Sequence, residues 1–148
     1  MIRNATKYDV PLLIEMMQKY AAQSPIAALS DQDFHDPAHV AKLMEMMIAG
    51  RGFVLIDNEH RGFLAAIVTG NVWCPKVYEL RELAWWVDAE HRNGIVGGRL
   101  WCEFDRRAEK MIGDGRIACA CTSKLSNSPA INFTKQNYKL LETTYFKE

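Results

Sequence analysis

The sequence predicts an α/β fold. The central sheet is mixed and mostly antiparallel, with helices on both faces, in the order β-α-α-β-β-β-α-β-α-β. Three observations predict it. Apolar runs of strand length are interspersed with stretches of helical periodicity. Two of those runs flank the loop Asn58 to Arg61, which fits a hairpin and an antiparallel pair. A strand–helix–strand run from Val77 to Thr122 needs a crossover, and so a parallel pair. The 148 residues suit one domain built on one core.

The elements follow in order. Met1 to Ala5 is a short first strand. Val10 to Ala22 has helical spacing through Leu12, Leu13, Met16, Met17 and Tyr20; Thr6 and Asp9 stand where caps belong, and Pro11 suits a first turn. Gln23 to His35 is polar and reads as a loop with at most a short helical turn. A second helix is punctuated by Asp36 as N-cap, Pro37 at its first position and Gly50 at its end. Strands at Gly52 to Asp57 and Gly62 to Thr69 follow, then a link, Asn71 to Lys76. A long fourth strand, Val77 to Val87, leads through a Gly-rich turn into a third helix. That helix reaches about Ile112, stops at Gly113-Asp114-Gly115, and carries an apolar stripe of Leu100, Phe104, Ala108 and Met111. Arg116 to Thr122 is a fifth strand. Pro129 opens a short fourth helix ending near Asn137, and Tyr138 to Lys147 is a β-rich sixth strand.

Composition narrows the function. Hydrophobic residues make up 49% and charged residues 24%, as in an ordinary globular protein. Eighteen basic residues balance eighteen acidic ones, so net charge gives no footprint for nucleic acid. Arg92, Arg99, Arg106, Arg107 and Lys110 crowd one segment, but Glu103, Asp105 and Glu109 are interleaved, as on a solvated helix face. No apolar run is long enough to span a bilayer, and the N-terminus lacks a secretory core. A cytoplasmic protein is the expectation. Cys74, Cys102, Cys119 and Cys121 form no CxxC pair and read as buried free thiols, with Cys119 and Cys121 on one strand face. His35, His39, His60 and His91 are scattered, so no metal site is expected. The methionines at 16, 17, 44, 46 and 47 read as core.

The segment with most chemical content is Glu82 to Leu100, ELAWWVDAEHRNGIVGGRL. A Gly-rich strand-to-helix turn aims backbone N–H groups and the positive end of a helix dipole at one point, which suits a phosphate. The competing reading is a merely tight turn. Trp85 and Trp86 fall on opposite faces of a regular strand, and both read as packing residues.

Three stretches resemble the GNAT superfamily of acetyl-CoA-dependent N-acyltransferases. Ile2-Arg3-Asn4-Ala5-Thr6-Lys7-Tyr8-Asp9 is similar to the family's common Ile-Arg-x-Ala-Thr-x-x-Asp opening. Glu82-Leu83-Ala84-Trp85-Trp86-Val87 is similar to its fourth strand. Arg92-Asn93-Gly94-Ile95-Val96-Gly97 looks like its pyrophosphate loop, Arg/Gln-x-x-Gly-x-Gly/Ala. The element order matches over essentially the whole chain.

The resemblance implies a site. In the family, strands four and five splay and the pantetheine arm lies between them. Backbone groups of Trp86, Val87 and Asp88 would then bond the pantetheine. The segment Arg92, Asn93, Gly94, Ile95, Val96, Gly97 and Gly98 would hold the pyrophosphate, and Asn127 would touch coenzyme A. Acetyl-CoA is the implied co-substrate, with no metal, and a primary amine of a small molecule or protein is the acceptor. Glu82 is the implied base, with Glu79 as a competitor. Tyr138 is the remaining hydroxyl acid, since Phe133 and Thr134 stand where the family often carries a Tyr. Ile95 replaces the first loop glycine, so a side chain there crowds the pyrophosphate unless the loop shifts by one residue. Asn137 stands in place of a Gly and tolerates a left-handed conformation. A catalytically silent acyl-CoA-binding module on the same fold is the alternative. Acidic residues in the cleft would favour a cationic acceptor such as an aminoglycoside; a basic groove would favour nucleic acid. An exposed final strand is an edge through which a second copy would pair, giving a homodimer.

Overall fold

A computed structural model describes residues 1–128 and 131–148. Strand β1 (Ile2–Asn4) leads through a single 3-10 turn into α1 (Val10–Ala21). A short α2 (Ala27–Ser30) and α3 (Pro37–Met46) follow, then β2 (Gly52–Asp57), β3 (Gly62–Gly70) and β4 (Tyr78–Val87). Helix α4 (Val96–Gly113) and β5 (Cys119–Cys121) complete the framework. The sheet runs β1-β2-β3-β4-β5; the first four strands are antiparallel to their neighbours, and β5 joins β4 in parallel.

Local chemistry explains the punctuation. Thr6 caps the turn before α1, and the Asp9 carboxylate accepts from the Thr6 backbone N–H at 2.7 Å. Arg3 closes a bidentate pair on that carboxylate, at 2.7 and 2.8 Å. Asp36 caps α3 by accepting from the His39 N–H at 2.9 Å, and Pro37 is its first residue. Beyond Met46 the chain makes one wider helical turn before Gly50, at φ 121°, ends it. The β2–β3 hairpin is locked by Arg61, whose Nε donates to the buried Asp57 carboxylate at 2.7 Å.

Both faces of the sheet are covered, so its strands bury both sets of side chains. Val54, Ile56, Phe63, Ala65, Ala84 and Trp86 pack against Leu13, Met16, Met44 and Met47 from α1 and α3 and the turn after it. Leu55, Leu64, Ala66 and Leu80 pack against Leu100, Phe104, Ala108 and Met111 of α4. A β-bulge in β4 sets which residue faces which layer. Ala65 pairs with Ala84 but Ala66 pairs with Glu82, leaving Leu83 without a partner. Leu80 therefore faces α4, whereas Ala84 and Trp86 face α1 and α3.

Several sequence expectations are corrected. The sixth strand is absent: residues 138–148 form no strand, and Leu140, Leu141 and Tyr145 are exposed. A strand needs an edge, and the three-residue β5 offers too little of one. The expected helix after Pro129 is a single 3-10 turn at Phe133–Gln136; Pro129 itself lies outside the described residues. Asn137, at φ 64°, does take the left-handed conformation. Cys74 and Cys102 are exposed thiols rather than buried ones, because the first sits in the β3–β4 link and the second on the outer side of α4. Met46 is also partly exposed at the end of α3. No helix among the described residues is long and apolar enough to cross a membrane.

Candidate active site

Strands β4 and β5 pair at only three positions: Glu79 with Cys119, Leu80 with Ala120, Arg81 with Cys121. They then part. Beyond Arg81, β4 continues to Val87 bonded to β3 alone, so its second edge is open. A cavity of about 230 Å³ fills this fork. Tyr20 and Gln23 enclose it from α1 and the turn after it, Arg92 and Gly97 from the turn into α4, and residues between Ser123 and Ser128 from the far side.

Glu82 stands at the point of divergence. Its Oε2 accepts from Thr122 Oγ1 at 3.0 Å and from the Ser123 N–H at 3.4 Å, both just past the end of β5. Burial raises its pKa to about 7, partly offset by those two donors. A carboxyl poised there can hold or release a proton near neutral pH. Neither Arg51 nor Arg81 neutralises it: Arg81 instead pairs with Glu79 at 3.0 Å. Glu79 also accepts from Asn71 Nδ2 at 2.7 Å, and these bonds hold its carboxyl below the ordinary range. Glu79 does not line the cavity.

The open edge carries one backbone acceptor of note. Asp88 N–H donates to Arg61 O, toward β3. Alternation along the strand turns Trp86 the same way and Val87 outward. Val87 O meets Arg92 Nε at 2.9 Å. The Arg92 guanidinium also lies 4.5 Å from the Trp86 ring centroid and reaches Gln23 Oε1 at 3.4 Å. Of Trp86, Val87 and Asp88, Val87 alone presents main-chain groups to the fork. The Asp88 carboxylate instead joins Lys19 at 2.9 Å and Trp86 Nε1 at 3.1 Å, tying α1 to the end of β4.

No side chain caps α4, so its first N–H groups are available to an anion. Gly97 lines the cavity, and a Cβ there would lie 3.5 Å from Val87 Cγ2 and 3.8 Å from Trp85 Cζ2. The absence of that Cβ keeps the passage between turn and strand open. Ile95 does not obstruct it. Its backbone is ordinary right-handed helical, and its exposed side chain lies with Gly94, Gly98 and Cys102 in a separate shallow hollow. Val96 is buried in the core, and Asn93 is exposed.

Trp85 and Trp86 do point to opposite faces. Trp85 stacks on Trp101 of α4, with centroids 5.4 Å apart, while Trp86 joins the α1 layer. Asn127 lines the cavity and donates to Gln23 O at 3.0 Å, bridging its two sides. Tyr138 lies elsewhere: its hydroxyl donates to Asp105 at 2.9 Å, its ring packs on Trp101, and it does not line the cavity. Burial and the Asp105 carboxylate raise its pKa well above the ordinary value. Tyr20 brings to the cavity a phenol that the sequence did not single out. Its pKa is also raised, by burial and by the charge of Glu82. Its helical spacing, shared with the core positions of α1, concealed it.

No family model matches the chain, and no curated protein does. Solved structures resemble it closely in shape. An acetyltransferase from Trypanosoma brucei is 10% identical with a TM-score of 0.66, covering 100% of this chain and 98% of its own. A possible acetyltransferase from Clostridium difficile 630 is 14% identical with a TM-score of 0.65, covering 100% and 96%. A predicted acetyltransferase with acetyl-CoA, from Clostridium acetobutylicum, is 11% identical with a TM-score of 0.65, covering 100% and 95%. The chain shares the fold of these acetyltransferases: an open, mostly antiparallel five-stranded sheet flanked by helices.

Proposed function

We propose that the chain is an acetyl-CoA-dependent N-acetyltransferase in which a primary amine attacks the thioester directly. The observation that carries this reading is the fork between β4 and β5, with Glu82 at its apex. The open edge at Val87 suits the amide groups of a pantetheine arm, once Arg92 releases the Val87 carbonyl. The uncapped start of α4, with Gly97 beside it, suits a pyrophosphate. The residues therefore fit a phosphate-bearing thioester lying along β4.

Glu82 accepts one proton from the acceptor's ammonium, leaving a neutral amine. Nitrogen attacks the carbonyl carbon; the C–N bond forms and the C–S bond breaks. The second proton leaves the nitrogen for the departing thiolate. Main-chain N–H groups on the open edge of β4 are suited to stabilise the developing oxyanion. Calorimetry with acetyl-CoA tests the binding half of the reading, and absence of binding at sub-millimolar concentration would reject it. Thiol release with an amine panel, lost in Glu82→Gln, tests the catalytic half.

A second reading is an acyl-CoA-binding module without activity. It is favoured by Tyr138, whose hydroxyl is committed to Asp105 instead of the cavity. Binding of acetyl-CoA with no thiol release from any amine would select it.

A further inference from the structure

We infer that the acceptor is a small monoamine with an apolar body, and not a polycation such as a polyamine or an aminoglycoside. This inference rests on the acetyl-transfer reading above. It follows from what lines the fork. Glu82 is the sole carboxylate among the described lining residues, and the other two charged side chains there are cations, Arg92 and Lys124. Asp88 follows directly on the strand, yet its carboxylate is already occupied by Lys19 and Trp86 Nε1. A polycation needs a carboxylate for each ammonium it brings out of water. Here a first ammonium meets Glu82, and no second carboxylate among the described lining residues awaits another.

The remaining walls are apolar or aromatic. Tyr20 of α1, Trp86 of β4 and Leu125 from the segment past β5 line the cavity with Glu82. Such walls bind a hydrocarbon or aromatic body by burial and stacking, with one polar contact to fix the amine. The charge balance of the cavity thus selects by exclusion, and its walls select by contact.

The test uses the full chain and follows thiol release from acetyl-CoA with 2-phenylethylamine, spermidine and kanamycin in turn. The expected result is a kcat/KM for 2-phenylethylamine at least about tenfold above those of the two polycations. Lys124→Glu should raise the spermidine-to-phenylethylamine ratio by roughly fivefold, because it exchanges a repulsive charge for an attractive one. A polycation as the better acceptor, or a ratio unmoved by Lys124→Glu, overturns the inference and leaves acetyl transfer standing. Silence with every amine overturns both.

Discussion

The Thr122 hydroxyl donates to Glu82 Oε2 at 3.0 Å, across the gap where β5 has just ended. This bond couples the geometry of the fork to the acidity of its carboxyl. Burial raises the pKa of Glu82 to about 7, and Thr122 pulls it back toward the ordinary range.

A base at about 7 gives a pH profile with a definite sign. The value of kcat/KM should rise with pH through about 7 as Glu82 loses its proton. Thr122→Val removes the donor and should move that limb to higher pH, while Glu82→Gln should remove the limb along with most of the rate. Thiol-release assays between about pH 5 and 9 check both points.

The same carboxyl lowers stability at high pH. Its folded pKa lies above its ordinary value of 4.5, so the native state binds the extra proton between 4.5 and about 7. Stability is greatest below that window and falls as pH rises through it. The shift corresponds to roughly 3 kcal/mol at most. Glu82→Gln should therefore be more stable than the parent by about 1–3 kcal/mol in mildly alkaline buffer, and near parity in acid. Urea denaturation at the two pH values reads the difference.

Gly97 and Ile95 make a matched pair. Gly97→Ala puts a methyl group beside Val87 and Trp85 in the passage, and should weaken coenzyme A binding by about tenfold or more. Alanine favours a helix over glycine by up to ~1 kcal/mol, so thermal stability should hold or rise. Ile95→Gly empties the outer hollow and should leave coenzyme A affinity within about threefold. Calorimetry on both variants separates the roles.

Asp9 ties β1 to α1. Hydrogen bonds from Arg3, with those from Thr6, hold its carboxyl well below the usual range. Its contribution is present above the ordinary carboxylate pKa and lost as pH falls toward the depressed value. Asp9→Asn should cost about 2 kcal/mol at neutral pH and flatten the acid limb of the stability curve.

Much of the fold was legible because its signals are local. Asp36-Pro37 starts α3 where caps and proline predict, and Leu100, Phe104, Ala108 and Met111 all reach the core. Glu82 and the turn into α4 were also visible, since strand length and glycine placement follow from neighbouring residues. The misses are non-local. The unpaired Leu83 arises from register against β3, and the β-prone stretch 138–147 lacks an edge to join. Tyr20 and Lys124 meet at one cavity only after α1 and the segment past β5 are folded together. Tyr138 was misplaced for the same reason: its Asp105 partner lies on another element.

The three-residue contact of β5 with β4 also bears on how the molecule breathes. So few ladder bonds anchor the C-terminal portion that its attachment leans on side chains: Thr122 on Glu82, Asn127 on Gln23, Tyr138 on Asp105, and the rings of Phe133 and Tyr138 on Trp101. Hydrogen exchange at Cys119, Ala120 and Cys121 should therefore run ahead of exchange in the first four strands. One wall of the cleft, at Ser123, Lys124 and Leu125, is carried by that lightly paired segment, so the local stability of β5 bears on the shape of the cleft.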